Sequence, residues 1–560
     1  MDVAGAQALS TALTDKEHES LESDKTRKKN QEVSGAGSFD IEKVRQMSIE
    51  SNNCTNDNQQ NIGDSQSSSK NSEGSATTFI LEHIMRTYQV FGSRKSRKAA
   101  RRMAIQTMKQ IGYTAMVVTP GKFSIKHAAS APYHLFFTRV ENSKENQQFS
   151  ITFSEILDRS LGEIVNSLHL SFIVNVGWLY LQYLLAGQRT DMTILYKHRI
   201  NNENLSKNVT AIRVENKSDF SSHHTNMTIL QYKDGIRVVV STAGLYPDDW
   251  ENRTQGLWIS PHLPYLKNGF TNPGDGESPT DFKRDLVGYL REYGVNEQPE
   301  LTQWIWAVQK ADFSKVNVFF IASVPGFHKI PEADFWGYRK LAHILSRYAT
   351  LPPDASQWPI VAQSSAVGCF GSTIENWLLK NIIWCMSKEI SKGLKNHPKF
   401  QFIYPSIENY KQSFDYQYLS TSLSYNEKMH SKQQWLESYL YQWKAERTGR
   451  DRTMPGIKSY TRISPDLKSI PWFVLTSANL SKAAWGKIQP SGYYIGNYEA
   501  GVVFIPKFIT GTTTFPIGDE EDSAVPVFPI PYDLPLSQYR PDDSPFVNEF
   551  INTCLELCGN

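Results

Sequence analysis

The sequence predicts an α/β protein made of two similar halves behind a polar tail, and three observations lead there. A chain of 560 residues exceeds what one hydrophobic core usually serves, so at least two domains are expected. From SAPYHLFFTRV (130–140) onward, aromatic and β-branched runs alternate with amphipathic stretches such as FWGYRKLAHILSRY (335–348), which is the pattern of layered strands and helices. One frame is also written twice, as STAGLYPDDW at 241–250 and TSANLSKAAW at 476–485. In both, a strand-forming run leads into a hydroxyl pair, then Ala, one variable residue and Leu, with a Trp closing the frame.

Residues 1–78 hold one aromatic, Phe39, and too little apolar surface to offset the entropy of ordering, so a disordered tail is expected. Residues 79–130 read as a basic linker with helical character. Within it RKSRKAARR (94–102) is either a nuclear-import or nucleic-acid patch or the solvated face of a helix. The first domain is expected over 131–323 and the second over 324–560, with the boundary at the SVPGF loop (323–327). The most apolar stretch, LHLSFIVNVGWLYLQYLLA (168–186), is interrupted by His169, Asn175, Gly177 and Gln182, so it reads as a buried strand running into a helix rather than a membrane span. The Pro-rich end, PVFPIPYDLPLSQYRPDDSPF (526–546), predicts an extended strap anchored by its aromatics.

Bulk charge excludes little. Lys and Arg total 59 against 57 Asp and Glu, so any nucleic-acid surface must be local. Five cysteines without a C-x-x-C pair argue against a disulfide framework or a zinc site, and the start of the chain has no secretory pattern, so an intracellular setting is expected.

The repeat carries the candidate chemistry. Upstream of the first copy, SSHHTNMTILQYKDGIRVVV reads as a hairpin turning at Asp234-Gly235, which sets His224 opposite Leu245 and beside Gly244, with Asn226 close by. Upstream of the second, MPGIKSYTRISPDLKSIPWFVL turns near Leu467-Lys468 and sets Gly456 opposite Asn479, with Lys458 close by. Two such hairpin ends facing each other would make one site from two half-sites. Trp250 and Trp485 read as core, and Ser481 as the N-cap of a helix starting at KAAW.

The frame H-x-K followed by a distant Asn, once per half, resembles the phospholipase D superfamily in its tyrosyl-DNA phosphodiesterase branch. The matching blocks are SSHHT, RTQGLW (253–258), TSANLSKAAWG, NYEAGVVFIP (497–506) and PIPYDLP (529–535), in order over about 131–546. The resemblance implies two phospholipase D-like domains, each a mixed sheet flanked by helices, closing on one pseudo-twofold site. It implies hydrolysis of the bond between a DNA 3′ phosphate and tyrosine, the lesion of a stalled topoisomerase, with neither metal nor cofactor. The implied partners are DNA 3′ ends, single- or double-stranded, and a topoisomerase-derived peptide, without a membrane; a monomer in the nucleus is expected, with the cytoplasm as a second location.

Carried over residue by residue, His224 is the nucleophile, Lys458 and Asn479 hold the phosphate, and Gln255 and Glu499 support the histidines. Three positions depart from the family: Asn226 stands for a Lys, Gly244 for an Asn, and Gly456 for the general acid/base His. His262 is the one other histidine singled out as a replacement. Ser365, in QSSAVGCFGS (363–372), Ser481 and Phe220 are the implied DNA contacts. Losing a general acid forfeits about 10²- to 10⁴-fold in rate, and one lost oxyanion donor costs about 3 kcal/mol. Weak or absent turnover is therefore expected, with a noncatalytic DNA-end-binding or scaffolding role as the alternative.

Overall fold

The computed structural model describes residues 93–558, except 117, 141–148, 201–204, 216–221, 268, 270, 273, 295–297, 388–396 and 519–523, together with Ile80 and Ile84. The tail expected over 1–78 lies outside the described residues.

Two sheets carry the fold, and they are copies of one plan. In the first, Gly256–Ile259, Gly235–Ser241, Asn226–Gln231 and Asn166–Asn175 run antiparallel in succession, then Asp191–Ile200 and Val209–Arg213 continue in parallel. In the second, Asn497–Phe504, Phe473–Thr476, Ser459–Arg462 and Ile360–Gln363 repeat the antiparallel series, and Phe400–Ile403 and Leu440–Tyr441 the parallel one. Each copy opens with one more antiparallel strand, Leu135–Thr138 in the first and Phe319–Ser323 in the second. Phe319–Ser323 lies before the boundary expected at 323–324, yet it pairs in the second sheet.

Local chemistry explains the central strands. Gly235–Ser241 and Asn497–Phe504 are buried along their whole length, and both are rich in valine, as suits strands covered on both faces. The 168–186 stretch divides as expected: strand Asn166–Asn175 runs into helix Val176–Ala186. The Asn175 side chain caps that helix by accepting from Trp178 N, and Gly187 ends it at φ 65°, where a side chain is disfavoured. The basic run lies on helix Arg94–Gln110, which buries Ala100, Ala104 and Met108 in one core cluster with Trp178 and Leu179 of that helix. Among the described residues no helix is long and apolar enough to cross a membrane.

A larger core joins the halves. It contains Leu168, Ile229 and Val238 of the first sheet and Phe320, Val474 and Val502 of the second. The C-terminal strap completes it, with Phe528, Ile530, Tyr532 and Phe546 all buried, and the Tyr133 ring stacks edge-on against Phe528 at 4.8 Å.

Both hairpin registers differ from expectation. Asn226 pairs with Ser241, so continuing the ladder sets position 224 opposite Ala243, not Leu245. The loop is Lys233-Asp234, closed by Tyr232 N donating to Gly235 O at 2.8 Å. Gly235 is a strand residue because the chain crosses close over it: a Cβ there would lie 2.2 Å from the Leu263 carbonyl oxygen. A residue chosen for close approach thus reads, in sequence, as a turn former. In the second hairpin Ser459 pairs with Leu475, so position 456 faces Ala478 rather than Asn479.

Candidate functional site

The first half supplies His224 and the second half holds it. Ser222–His223 leaves its own sheet and pairs in parallel with Asn497 and Tyr498, and His224 N donates to Tyr498 O at 2.9 Å. This fixes the His224 side chain against Glu499: Nδ1 lies 3.0 Å from Oε1, with Glu499 only 1% exposed and His224 24%. Asn497 Nδ2 donates to the same oxygen at 3.0 Å, and Ser477 Oγ donates to Oε2 at 2.6 Å. Asn497 Nδ2 also lies 3.2 Å from His224 Nδ1; in the tautomer that donates from Nδ1 to Glu499, the ring's lone pair is left on Nε2. The Phe172 ring stands edge-on to the imidazole at 4.9 Å. A partly exposed nucleophilic nitrogen, its ring oriented by a buried carboxylate, is the arrangement needed for attack on phosphorus.

The other half repeats this scaffold without the histidine. Thr242 Oγ1 donates to Gln255 Oε1 at 2.6 Å, matching Ser477 on Glu499. Gln255 is 1% exposed and fills the space beside Gly456, where a Cβ would lie 2.0 Å from Nε2. His262 does not substitute. Its Nε2 lies 3.3 Å from Asp234, at the loop end of the hairpin, away from His224.

The amides have also been rearranged. In the second half, Asn479 Oδ1 accepts from Ser364 Oγ (2.9 Å), Ser365 Oγ (3.2 Å) and Ala366 N (3.0 Å). Three donors on one atom identify it as the carbonyl and leave the NH₂ for another acceptor. In the first half the bond equivalent to Ser364–Asn479 is Ser171 Oγ donating to Asn226 Oδ1 at 2.9 Å. Asn226, expected as a weakened lysine, makes the contact that an amide at 244 would make. Its NH₂ is directed at the carbonyls of Thr242 and His224, at 3.3 and 3.4 Å.

Gly244 is closed off. Its N–H donates to Asp249 at 2.7 Å, Trp250 Nε1 donates to its carbonyl at 2.8 Å, and a Cβ there would lie 2.8 Å from the Tyr246 ring. Tyr246 and Asp249 belong to a buried cluster around Arg253, which lies 3.3 Å from Asp249, 3.2 Å from Asp415 and 3.6 Å from Asp248. Beyond it is Lys458, half-buried, its ammonium held below the usual lysine range by burial while Asp249 and Glu499 pull in the opposite direction.

Ser365 is buried, and its hydroxyl is committed to Asn479. Ser481 caps helix Lys482–Trp485 by accepting from Ala484 N at 3.1 Å. Phe220 lies outside the described residues. Trp250 and Trp485 are buried, only 3% and 1% exposed. His223 is core: Nε2 lies 2.9 Å from Tyr293 Oη, and burial pushes its pKa down to about 3. The sequence reading missed Asn497, Ser477, Thr242 and Ser171. Asn497 was within reach, since it sits two residues before Glu499 on one face of a strand.

The family model for tyrosyl-DNA phosphodiesterase matches residues 134–540. Tyrosyl-DNA phosphodiesterase 1 of Drosophila melanogaster is 44% identical over 457 residues, covering 78% of this chain and 77% of the relative. The probable tyrosyl-DNA phosphodiesterase of Caenorhabditis elegans is 30% identical over 448 residues, covering 76% and 92%. In fold, the yeast tyrosyl-DNA phosphodiesterase crystal structure superposes with a TM-score of 0.54 over 74% of this chain and 98% of that one, at 20% identity. This chain belongs to the tyrosyl-DNA phosphodiesterase family.

Proposed function

We propose that the protein acts on DNA 3′ ends, attacking a 3′-phosphotyrosyl linkage through His224 without an efficient means of completing the cycle. The observation that carries this is the asymmetry of the two half-sites: His224 keeps its buried Glu499 partner, whereas Gln255 occupies the ground beside Gly456. His224 Nε2 would form a bond to phosphorus as the phosphorus–phenolate bond breaks. The tyrosine oxygen then takes its proton from water, because no histidine stands at 456. Lys458 and the Asn479 NH₂ are the groups for the nonbridging oxygens, and fixed donors of this kind supply most of what such a transfer needs. Water attack on the phosphohistidine has no second-half base, so the adduct should persist.

The test is a 3′-phosphotyrosyl oligonucleotide incubated with the purified protein, scored for turnover and for an acid-labile protein–DNA adduct. The expected result is an adduct that His224→Ala abolishes, with release far below ordinary enzyme rates. Multiple turnover at ordinary rates would overturn the reading. A second reading, end binding without chemistry, draws on the closure of Gly244 by Tyr246 and predicts retained binding with no adduct. Repair of topoisomerase lesions, nuclear location, recognition of the topoisomerase peptide and a monomeric state form part of the same proposal.

A further inference from the structure

Helix Arg94–Gln110 presents a one-signed face to solvent. Residues 93–140 hold ten of the 59 Lys and Arg and none of the 57 Asp and Glu. At about 100° per residue, Arg94, Lys95, Lys98, Arg102 and Lys109 fall within an arc of about 100°, and all five are exposed. Ala100, Ala104 and Met108 lie on the opposite face, fully buried in the cluster that holds helix Val176–Ala186. Both ends are fixed. The Arg97 stem crosses Gly187, where a Cβ would lie 3.3 Å from Arg97 Cβ, and just past the other end Tyr113 Oη accepts from Asn175 Nδ2 at 2.8 Å. The stripe works against the helix that carries it. Arg94 and Lys95 stand in the first turn, where the dipole disfavours cations, and Arg94, Lys98 and Arg102 are like charges four residues apart. Among the described residues no acidic side chain pairs with any of the five. A bound polyanion would relieve both effects.

We propose that this face of helix Arg94–Gln110 docks the backbone of double-stranded DNA without need of a 3′ end, a contact that goes beyond the reaction at His224 and does not depend on it. Arg94 to Lys109 spans about 22 Å at 1.5 Å per residue. A duplex offers one phosphate per about 1.7 Å of its axis, so phosphates are available along the whole stripe. No aromatic side chain lies on the exposed face to stack on unpaired bases, which argues against a single strand. The apolar side of the helix is buried in the protein, so it has none to insert among lipid headgroups. A basic stripe along a helix is the electrostatic footprint of nucleic-acid binding, and contacts to phosphates alone carry no sequence preference.

Anisotropy titrations of the full chain with a covalently closed DNA dumbbell of about 30 base pairs, which has no end, test this across a range of salt. The wild type should bind. Lys95→Gln/Lys98→Gln/Arg102→Gln/Lys109→Gln should lower the salt slope by about 3.6, from four contacts at about 0.9 each, and weaken binding at least about tenfold in moderate salt. Its unfolding midpoint should match the wild type's, since the positions are exposed and Gln is a good helix former. Lys95→Arg/Lys98→Arg/Lys109→Arg keeps the charge and should bind as the wild type does. Failure of the wild type to bind the dumbbell overturns the proposal, as does an undiminished slope in the Gln variant or lost binding in the Arg variant. Tighter binding of the wild type to phosphatidylserine vesicles than to the dumbbell would assign the face to membranes and overturn it too. Adduct formation with a 3′-phosphotyrosyl trinucleotide should be equal in the wild type and the Gln variant; its loss in the variant alone would make the stripe part of the end site and overturn an end-independent surface. A wild type that forms no adduct refutes the reaction at His224 only, and the dumbbell titrations still decide this surface.

Discussion

Placing any side chain at 456 should disturb Gln255, and the size of the disturbance follows from the geometry. A Cβ at 456 would stand 2.0 Å from Gln255 Nε2 and 2.5 Å from Cδ, well inside contact distance. The glutamine must rotate, yet it is 1% exposed and its Oε1 holds the Thr242 hydroxyl at 2.6 Å. Breaking that bond in a buried site leaves a polar group unpaired, at about 1–3 kcal/mol. Gly456→Ala gains up to about 1 kcal/mol by restricting the unfolded chain, so the single variant alone is ambiguous. The diagnostic quantity is the coupling in a cycle of Gly456→Ala, Gln255→Ala and the double variant, measured by urea unfolding. The double variant should be more stable than the sum of the singles by about 1 kcal/mol or more. A coupling near zero would refute the claim that Gln255 fills the place of the missing histidine. The same geometry bears on restoring catalysis: a Gly456→His variant that regains turnover should do so only with Gln255 displaced.

Four further outcomes are expected. Glu499→Gln replaces the carboxylate oxygen that lies 3.0 Å from His224 Nδ1 and should slow adduct formation by about 10²-fold or more, with oligonucleotide affinity unchanged; equal adduct rates would remove Glu499 from its role. Arg253→Met leaves Asp415 and Asp249 buried without their cation and should cost about 3–5 kcal/mol by denaturant unfolding. Burial pushes the pKa values of both His169 and His223 down to about 3. The unfolded chain, near 6.5, takes up protons that the folded one refuses, so stability is full above about 6.5 and falls by about 1.4 kcal/mol per pH unit per ring as pH drops towards 3. His169→Gln should flatten that slope between pH 6 and 4, and an unchanged slope would count against it. Ser481→Ala should cost about 1 kcal/mol through loss of the cap on Ala484 N.

The sequence by itself determined what depends on near neighbours. The duplicated frame, the 168–186 strand and helix, the Ser481 cap and the two buried tryptophans follow from periodicity, capping chemistry and the cost of exposing indole to water. Recognition of the family also came from local blocks, and with it the expectation that Glu499 supports His224. What only the tertiary structure decided involves groups far apart in the chain. His224 and Glu499 are separated by 275 positions, and their meeting depends on a two-residue strand crossing to the other half's sheet. The turn at Asp234-Gly235 moved because Leu263 packs over the glycine, a contact that no turn propensity encodes. The spacing places Asn226 where the family has a lysine; only the fold brings the Ser171 hydroxyl to within 2.9 Å of its amide oxygen. The resemblance implies Gln255 as a support for a histidine; packing places it where a side chain at 456 would begin. Close packing leaves no room for an empty position, so the space beside Gly456 is filled by Gln255 and that beside Gly244 by Tyr246.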